Sequence, residues 1–277
     1  MKAIDDLLKF RITPVNGRPE ANQIVLFCDG NVLSAAADNS VIQPRRAVEE
    51  FLPDIRNRFS LGLYGGSETE VWELPKTVDT NLHTLNLRAV LGLFNEDQFQ
   101  LVSRAAQLLE WDRNHRFCGH CGSETKRHDT EPLRLCDNCG VRVYPRIAPC
   151  VLVLPTMGDK VLMGRQPSWP PGWYSALAGF VEAGETLEQT AIRECWEESG
   201  VVIDNLRYHG SQPWPFPGQL MVSFNADVVN PEITVDKNEL EDARWFDIHD
   251  MPACPDRRTL SGRLIWDFVD SRLAISG

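Results

Sequence analysis

No apolar run in this sequence approaches the roughly 18–20 residues that cross a bilayer. The first residues, Met1-Lys2-Ala3-Ile4-Asp5-Asp6, turn acidic at once and lack the apolar stretch of a secretory signal. A soluble, cytoplasmic protein with no membrane contact is expected. Positive charge is scarce: 28 Lys and Arg stand against 39 Asp and Glu, a formal net charge of −11. That shortage excludes a chain built around a broad basic grip on a phosphate backbone. Small anionic substrates stay open, because a bound metal ion supplies positive charge locally. Internal repeats and low-complexity segments are absent as well. With 43% hydrophobic and 24% charged residues, wholesale disorder is excluded. At 277 residues the chain has room for about two domains.

The eight cysteines are not spread evenly. Four fall in two C-x2-C pairs, Cys118/Cys121 and Cys136/Cys139, with fourteen residues between the pairs. Each pair can aim two thiolates at one ion from a tight loop, and two such loops complete the tetrahedral S4 shell that zinc favours. A disulfide framework would need a secretory context. Four thiolates leave no open coordination position, so the expected Zn²⁺ is structural. Gly119, Gly122 and Gly140 are expected to relax the backbone at these turns. The basic residues Arg116, Lys126, Arg127 and Arg134 raise a second role for this block, contact with nucleic acid. Cys28, Cys150, Cys195 and Cys254 lie in apolar contexts and read as buried free thiols.

Composition and pattern divide the chain into an α+β region, 1–112, a cysteine-rich block, 113–145, and an alternating strand–helix region, 146–277. In the first, Gln23–Cys28 reads as a strand running into a turn at Asp29-Gly30-Asn31. Phe59–Tyr64, closed by Gly65-Gly66, and Glu70–Glu73 read as a strand pair. Phe99, Val102, Ala106 and Leu109 recur at helical spacing within Glu96–Trp111. No chemical constellation appears there, and scaffolding or dimerisation is its expected task. From Arg113 to Arg146 seven Lys/Arg stand against four Asp/Glu, a basic island in an acidic chain. The last region predicts strands at Cys150–Leu154, Lys160–Gly164, Leu220–Val228 and Arg244–Phe246, and helices at Leu187–Ser199 and Arg263–Leu273.

The most informative segment runs from Gly179 to Val201. Gly179 and Gly184 suit a tight loop, Thr186 and Gln189 have capping-box spacing, and Gly200 sits where a helix would close. On that helix Glu194 and Glu198 lie about 40° apart and Glu197 about 60° from Glu194. Three carboxylates within an arc of about 100° repel one another, and a hard divalent cation such as Mg²⁺ or Mn²⁺ relieves that repulsion while binding phosphate oxygens. An ordinary solvated acidic face is the plainer alternative.

The whole string fits G-x5-E-x7-R-E-U-x-E-E-x-G-U, where U is apolar, and so resembles the Nudix box at every fixed position. The resemblance implies a Nudix hydrolase domain, an α/β/α sandwich with a mixed sheet, which cleaves a diphosphate linked to another moiety with divalent metal ions. It implies that Glu194 and Glu198 are the principal metal ligands and that Glu197 is a further ligand or the water-activating carboxylate. Arg193 and Glu185 are implied as the pair that fixes the geometry. Downstream, Ser211-Gln-Pro-Trp-Pro-Phe-Pro217 interleaves prolines with aromatic rings, a stiff segment suited to stacking. It is similar to S-Q-P-W-P-F-P-x-S, the mark of the NADH pyrophosphatase branch, with Gln219 in place of the final Ser. That branch carries a four-cysteine zinc ribbon ahead of its Nudix domain.

What the branch implies is hydrolysis of NAD(H) to NMN(H) and AMP, removal of NAD caps from RNA 5′ ends, and a homodimer. Glu239 and the backbone carbonyl of Ala178 are implied as further metal ligands. Phe180 and Tyr144 would flank a ring of the dinucleotide, and Gln212 and Trp214 would line the pocket. Two rivals are a general Nudix hydrolase of ADP-ribose or another nucleoside diphosphate derivative, and a zinc-ribbon nucleotide or RNA sensor without turnover.

Overall fold

A computed structural model of the protein describes residues 10–11, 20–34, 40–90, 93–129 and 131–276. The chain divides into two compact units, Met1–Arg146 and Ile147–Gly277. Among the described residues no helix is long and apolar enough to cross a membrane.

In the first unit, strands β1 (Phe10–Arg11), β2 (Gln23–Cys28), β3 (Asn31–Ser34), β4 (Ile42–Pro44), β5 (Asn57–Tyr64), β6 (Ser67–Leu74) and β7 (His83–Leu85) form one sheet. Its order is β1-β5-β6-β2-β3-β7, with β4 also on β2 and a central parallel pair, β2 and β6. Two hairpins set the register. Asp29-Gly30 and Gly65-Gly66 are two-residue turns with positive φ at both positions, the left-handed geometry that matches strand twist. Ile24, Leu26, Leu33 and Trp72 pack into one buried cluster.

A short helix α1 (Leu87–Val90) precedes α2 (Glu96–Asn114), which starts at a capping box between Asn95 and Gln98. Helix α2 runs one turn beyond the predicted end. It buries Phe99, Val102, Ala105 and Leu109, whereas Ala106 is only half-buried.

The cysteine block folds as a three-stranded sheet of β8 (Lys126–Arg127), β9 (Arg134–Leu135) and β10 (Arg142–Val143). Gly122 and Gly140 take φ of 73° and 74°, as the turns require. Gly119 is not in that region, so it plays no such part.

In the second unit, β11 (Ala148–Met157), β12 (Lys160–Arg165), β13 (Leu177–Phe180), β14 (Val202–Trp214), β15 (Gln219–Asn230) and β16 (Asp242–Asp247) form a mixed sheet. Its order is β14-β15-β11-β12-β16, with β13 also pairing with β11. The β11–β15 pair is parallel and its other ladders are antiparallel. Helices α3 (Leu187–Ser199) and α4 (Leu260–Ser276) cover the sheet.

Alternation along β11 builds the sandwich. Val151 and Val153 pack with Ala191 and Cys195 of α3, while Leu152 and Leu154 pack with Leu264 and Ile265 of α4. The sequence assigned the proline-rich segment no element of its own. It is the tip of the β14–β15 hairpin, with Trp214 paired to Gln219. Pro213 is tolerated because β14 is an edge strand. Of the four scattered thiols, Cys150 and Cys195 are buried, but Cys28 and Cys254 are only half-buried.

Candidate active site

The loop before α3 is held by the sequence that encodes it. The Thr186 hydroxyl accepts from the Gln189 amide while the Gln189 side chain accepts from the Thr186 amide. At the other end Gly200 closes the helix at φ 72°. Gly184 takes φ 96°, which the loop needs. Gly179 has another role. It lies in β13, opposite Val151, and a Cβ there would stand 1.7 Å from the carboxyl carbon of Glu194. Glycine is what lets a buried carboxylate of α3 lie on the strand.

Arg193 organises the box. Its Nε and Nη2 donate to Glu185 at 2.6 and 2.9 Å, a forked contact, and Nη1 donates to Glu194 at 2.7 Å and Glu197 at 2.8 Å. Nη2 also reaches the Phe180 carbonyl at 2.9 Å. The guanidinium holds Glu185 down to about 2, so that partner stays ionised.

The three helix carboxylates are not equivalent. Glu194 and Glu198 are buried, and Glu197 is exposed. Burial, with repulsion from Glu194 and Glu239, pushes Glu198 up to about 8 against a hydrogen bond from the Ala178 backbone amide. Its Oε2 is buried and, among the described residues, has no hydrogen-bond partner. Burial likewise raises Glu194. An orphaned carboxylate oxygen beside a second buried carboxylate fits a divalent cation, which would supply both the missing partner and the missing charge. Glu239 is exposed and near enough to disfavour the ionisation of both. The carboxylate oxygens are spread more widely than the cysteine sulfurs. That suits Mg²⁺ or Mn²⁺, which keep waters and take substrate phosphate oxygens along with a few carboxylates.

A cavity of about 340 Å³ opens at this point. Glu198, Ala178, Phe180, Gln212, Trp214 and Gln219 all line it. Phe180 is 48% exposed, so its ring is free to receive a ligand. Trp214 meets Phe216 edge to face at 5.3 Å. Gln212 is spoken for. Its Oε1 accepts from the Leu260 amide at 2.8 Å and its Nε2 donates to the Arg258 carbonyl at 3.1 Å. It thereby ties β14 to the start of α4. Tyr144 belongs to the first unit, half exposed, with its hydroxyl 3.3 Å from Glu131.

Trp169, Ser175, Thr259 and Ser261 also line the cavity and carried no signal in the sequence. The Ser175 and Ser261 hydroxyls bond each other at 2.7 Å across 86 positions, a pairing that no local pattern encodes.

The cysteine site is separate. The sulfurs of Cys118, Cys121, Cys136 and Cys139 lie within 4.8 Å of one another, with Cys118–Cys139 and Cys121–Cys136 at 3.5 Å. Zn–S bonds of about 2.3 Å in a tetrahedron place sulfurs about 3.8 Å apart, so the quartet fits zinc. Hydrogen bonds led by Asn138 pull Cys121 down to about 5. Despite the Val141 amide, burial and the neighbouring thiols push Cys139 up to about 12. Among the described residues no other group of three or more His, Cys, Asp or Glu gathers its ligand atoms so closely.

Residues 144–265 match the NUDIX domain family, and residues 113–144 match the NADH pyrophosphatase zinc ribbon domain. The NAD-capped RNA hydrolase NudC of Pseudomonas aeruginosa is 38% identical over 254 residues, covering 90% of this chain and 91% of that protein. The protein of the same name from Pectobacterium carotovorum is 46% identical over 204 residues, 73% of this chain and 76% of its own. Among solved structures, a NUDIX hydrolase from Nitrosomonas europaea superposes with a TM-score of 0.50 at 25% identity, covering 57% of this chain and 93% of its own.

Proposed function

Because the chain belongs to the Nudix hydrolase family, in the group that carries an NADH pyrophosphatase zinc ribbon, we propose that it hydrolyses the pyrophosphate of NAD(H) to NMN(H) and AMP and removes NAD caps from RNA 5′ ends. One observation carries this reading most. The buried, partnerless Oε2 belongs to Glu198, which lines the same cavity as the rings of Phe180 and Trp214. A phosphate-binding locus and an aromatic slot thus share one chamber, as a dinucleotide requires.

In the reaction a water oxygen bonds to one phosphorus and the bridging P–O bond breaks, leaving two monophosphates. Mg²⁺ or Mn²⁺, when bound, polarises the phosphoryl oxygen and makes water more acidic. Glu194 and Glu198 would hold the ion, joined by Glu239 and the Ala178 carbonyl. Glu197, exposed and anchored through Oε2 to Arg193, would accept the water proton at Oε1 or serve as a further ligand. Arg193 and Glu185 keep these groups in position. Phe180 flanks a ring, Trp214 walls the slot, and Gln212 holds the wall to α4. The RNA product keeps a 5′-monophosphate. The enzyme acts in the cytoplasm as a homodimer, a reading supported by the layout of the branch and tested by light scattering.

The deciding experiment offers NADH, ADP-ribose and a short NAD-capped RNA in parallel to the purified protein with Mn²⁺ or Mg²⁺. NMNH with AMP, and 5′-monophosphate RNA, are expected. Glu198→Gln should reduce kcat by at least about a hundredfold, since even outer partners of a metal ligand are worth about 10–100-fold. Preference for ADP-ribose, or near wild-type turnover in Glu198→Gln, would overturn the reading.

A further inference from the structure

Behind the chamber wall lies a buried cation that the proposed chemistry does not use. Arg165 ends β12 and is 7% exposed. Its guanidinium is shared between two segments. Nη1 donates to Glu241 Oε2 at 2.5 Å and to the Gln166 carbonyl at 3.0 Å, and Nη2 donates to the Trp169 carbonyl at 2.8 Å. Arg165 does not itself line the cavity.

One side of this contact carries a ring. Trp169 lines the cavity, half-buried, in the loop Gln166-Pro-Ser-Trp-Pro-Pro171. Pro167, Pro170 and Pro171 each fix their own φ, so the loop has little freedom to lose when a ligand arrives. The Trp169 amide donates to the Gln166 carbonyl at 3.1 Å, and its own carbonyl is held by Arg165. The indole N–H has no hydrogen-bond partner among the described residues. A ring whose backbone is pinned and whose N–H is unspent is a platform for a ligand.

The other side is the turn that carries Glu239. Three consecutive side chains serve three places. Glu239 lies near Glu194 and Glu198, Leu240 lines the cavity, and Glu241 meets Arg165. The turn is tied at its start, where the Asp236 amide donates to the Glu198 carbonyl at 3.2 Å. It is tied again at its end, where the Glu241 amide donates to the Arg165 carbonyl at 2.8 Å. A well-packed apolar side chain often replaces a buried ion pair at no loss of stability. Here it would leave the Trp169 and Gln166 carbonyls without this donor and the two segments unconnected.

We propose that Arg165 is a positioning residue that sets the Trp169 wall and the Glu239 turn against each other, so that one guanidinium places both the ring-binding and the metal-binding side of the site. The proposal rests on the metal and ring roles given under the proposed function.

Two binding measurements on the full-length, zinc-loaded protein read the two sides apart from turnover. Mn²⁺ binding without substrate, by the paramagnetic resonance of the free ion, reads the carboxylate side. NADH binding without Mn²⁺, by the fluorescence of the nucleotide, reads the chamber wall. Arg165→Lys keeps the charge but cannot fork to both segments. It should weaken Mn²⁺ about tenfold, as loss of an outer partner of a metal ligand does, and NADH about fivefold through the displaced wall. Trp169→Ala should weaken NADH about tenfold, within the range for a lost stacking ring, and leave Mn²⁺ within about twofold. Glu241→Ala should do the reverse, weakening Mn²⁺ about fivefold with NADH within about twofold. In turnover, Trp169→Ala should raise KM with kcat nearly kept, whereas Arg165→Lys should raise KM and lower kcat.

A folded Arg165→Lys that shifts only one of the two affinities, or neither while its melting temperature falls, would overturn the proposal. Should Arg165→Lys not fold, Glu241→Ala decides: weaker Mn²⁺ with unchanged NADH supports the proposal, and wild-type Mn²⁺ affinity overturns it. Absence of NADH hydrolysis in the wild type would instead overturn the proposed function, and the two binding measurements would still decide Arg165.

Discussion

Glu194 lies against the backbone of Gly179 so closely that no other residue fits there without moving it. Gly179→Ala is therefore a displacement of the Glu194 carboxylate made from the neighbouring strand. The added methyl should cost about 1–3 kcal/mol as overpacking. It should reduce kcat/KM for NADH at least about tenfold, because metal-centred chemistry depends on sub-ångström placement. Steady-state kinetics with thermal denaturation separates the two effects, and full activity would show that Glu194 is free to relocate. At the same scale, Glu197 differs from its neighbours through exposure alone. Helical spacing places all three carboxylates on one arc; packing of β13 on α3 decides which two are buried.

Helix α2 meets the cysteine block through Asp112, and this contact sets how firmly the two elements hold together. Burial opposes ionisation of Asp112, yet Arg127 and Arg134 hold its pKa below the ordinary value of 3.8. A native pKa below the unfolded one gives stability that is present above pH 3.8 and is lost as pH falls through the native value. Asp112→Asn leaves the buried Arg134 without its counter-charge and should cost about 3–5 kcal/mol. Denaturant unfolding at pH 7 checks that loss. The difference between wild type and variant should shrink as pH drops below 4, and a constant difference would remove Asp112 from the acid response.

For the whole molecule, zinc and the divalent cation have separable duties because their ligands differ in kind. Cys136→Ser removes one corner of a closed S4 shell and should lower zinc content from one ion per chain toward zero, with a lower melting temperature. Metal analysis beside a thermal scan tests this. Lost turnover with unchanged melting would make the zinc other than structural.

The sequence by itself determined the parts whose geometry is enforced over short spans. The Asp29-Gly30 and Gly65-Gly66 hairpins, the Thr186/Gln189 cap and the C-x2-C loops are local, so spacing fixes which atoms can meet, whereas the Arg193–Glu185 pair was legible only through the resemblance to the Nudix box. It misplaced Gly179 and Gly119 because the first answers to a side chain fifteen positions away and the second to no conformational demand. Only the tertiary structure decided the rest. The cavity draws on β11, β13, β14 and α4, the Ser175–Ser261 contact spans 86 positions, and the Arg165–Glu241 contact spans 76. Burial and proximity between distant segments are consequences of how apolar faces pack, and those faces carry no local record of what they will bring together.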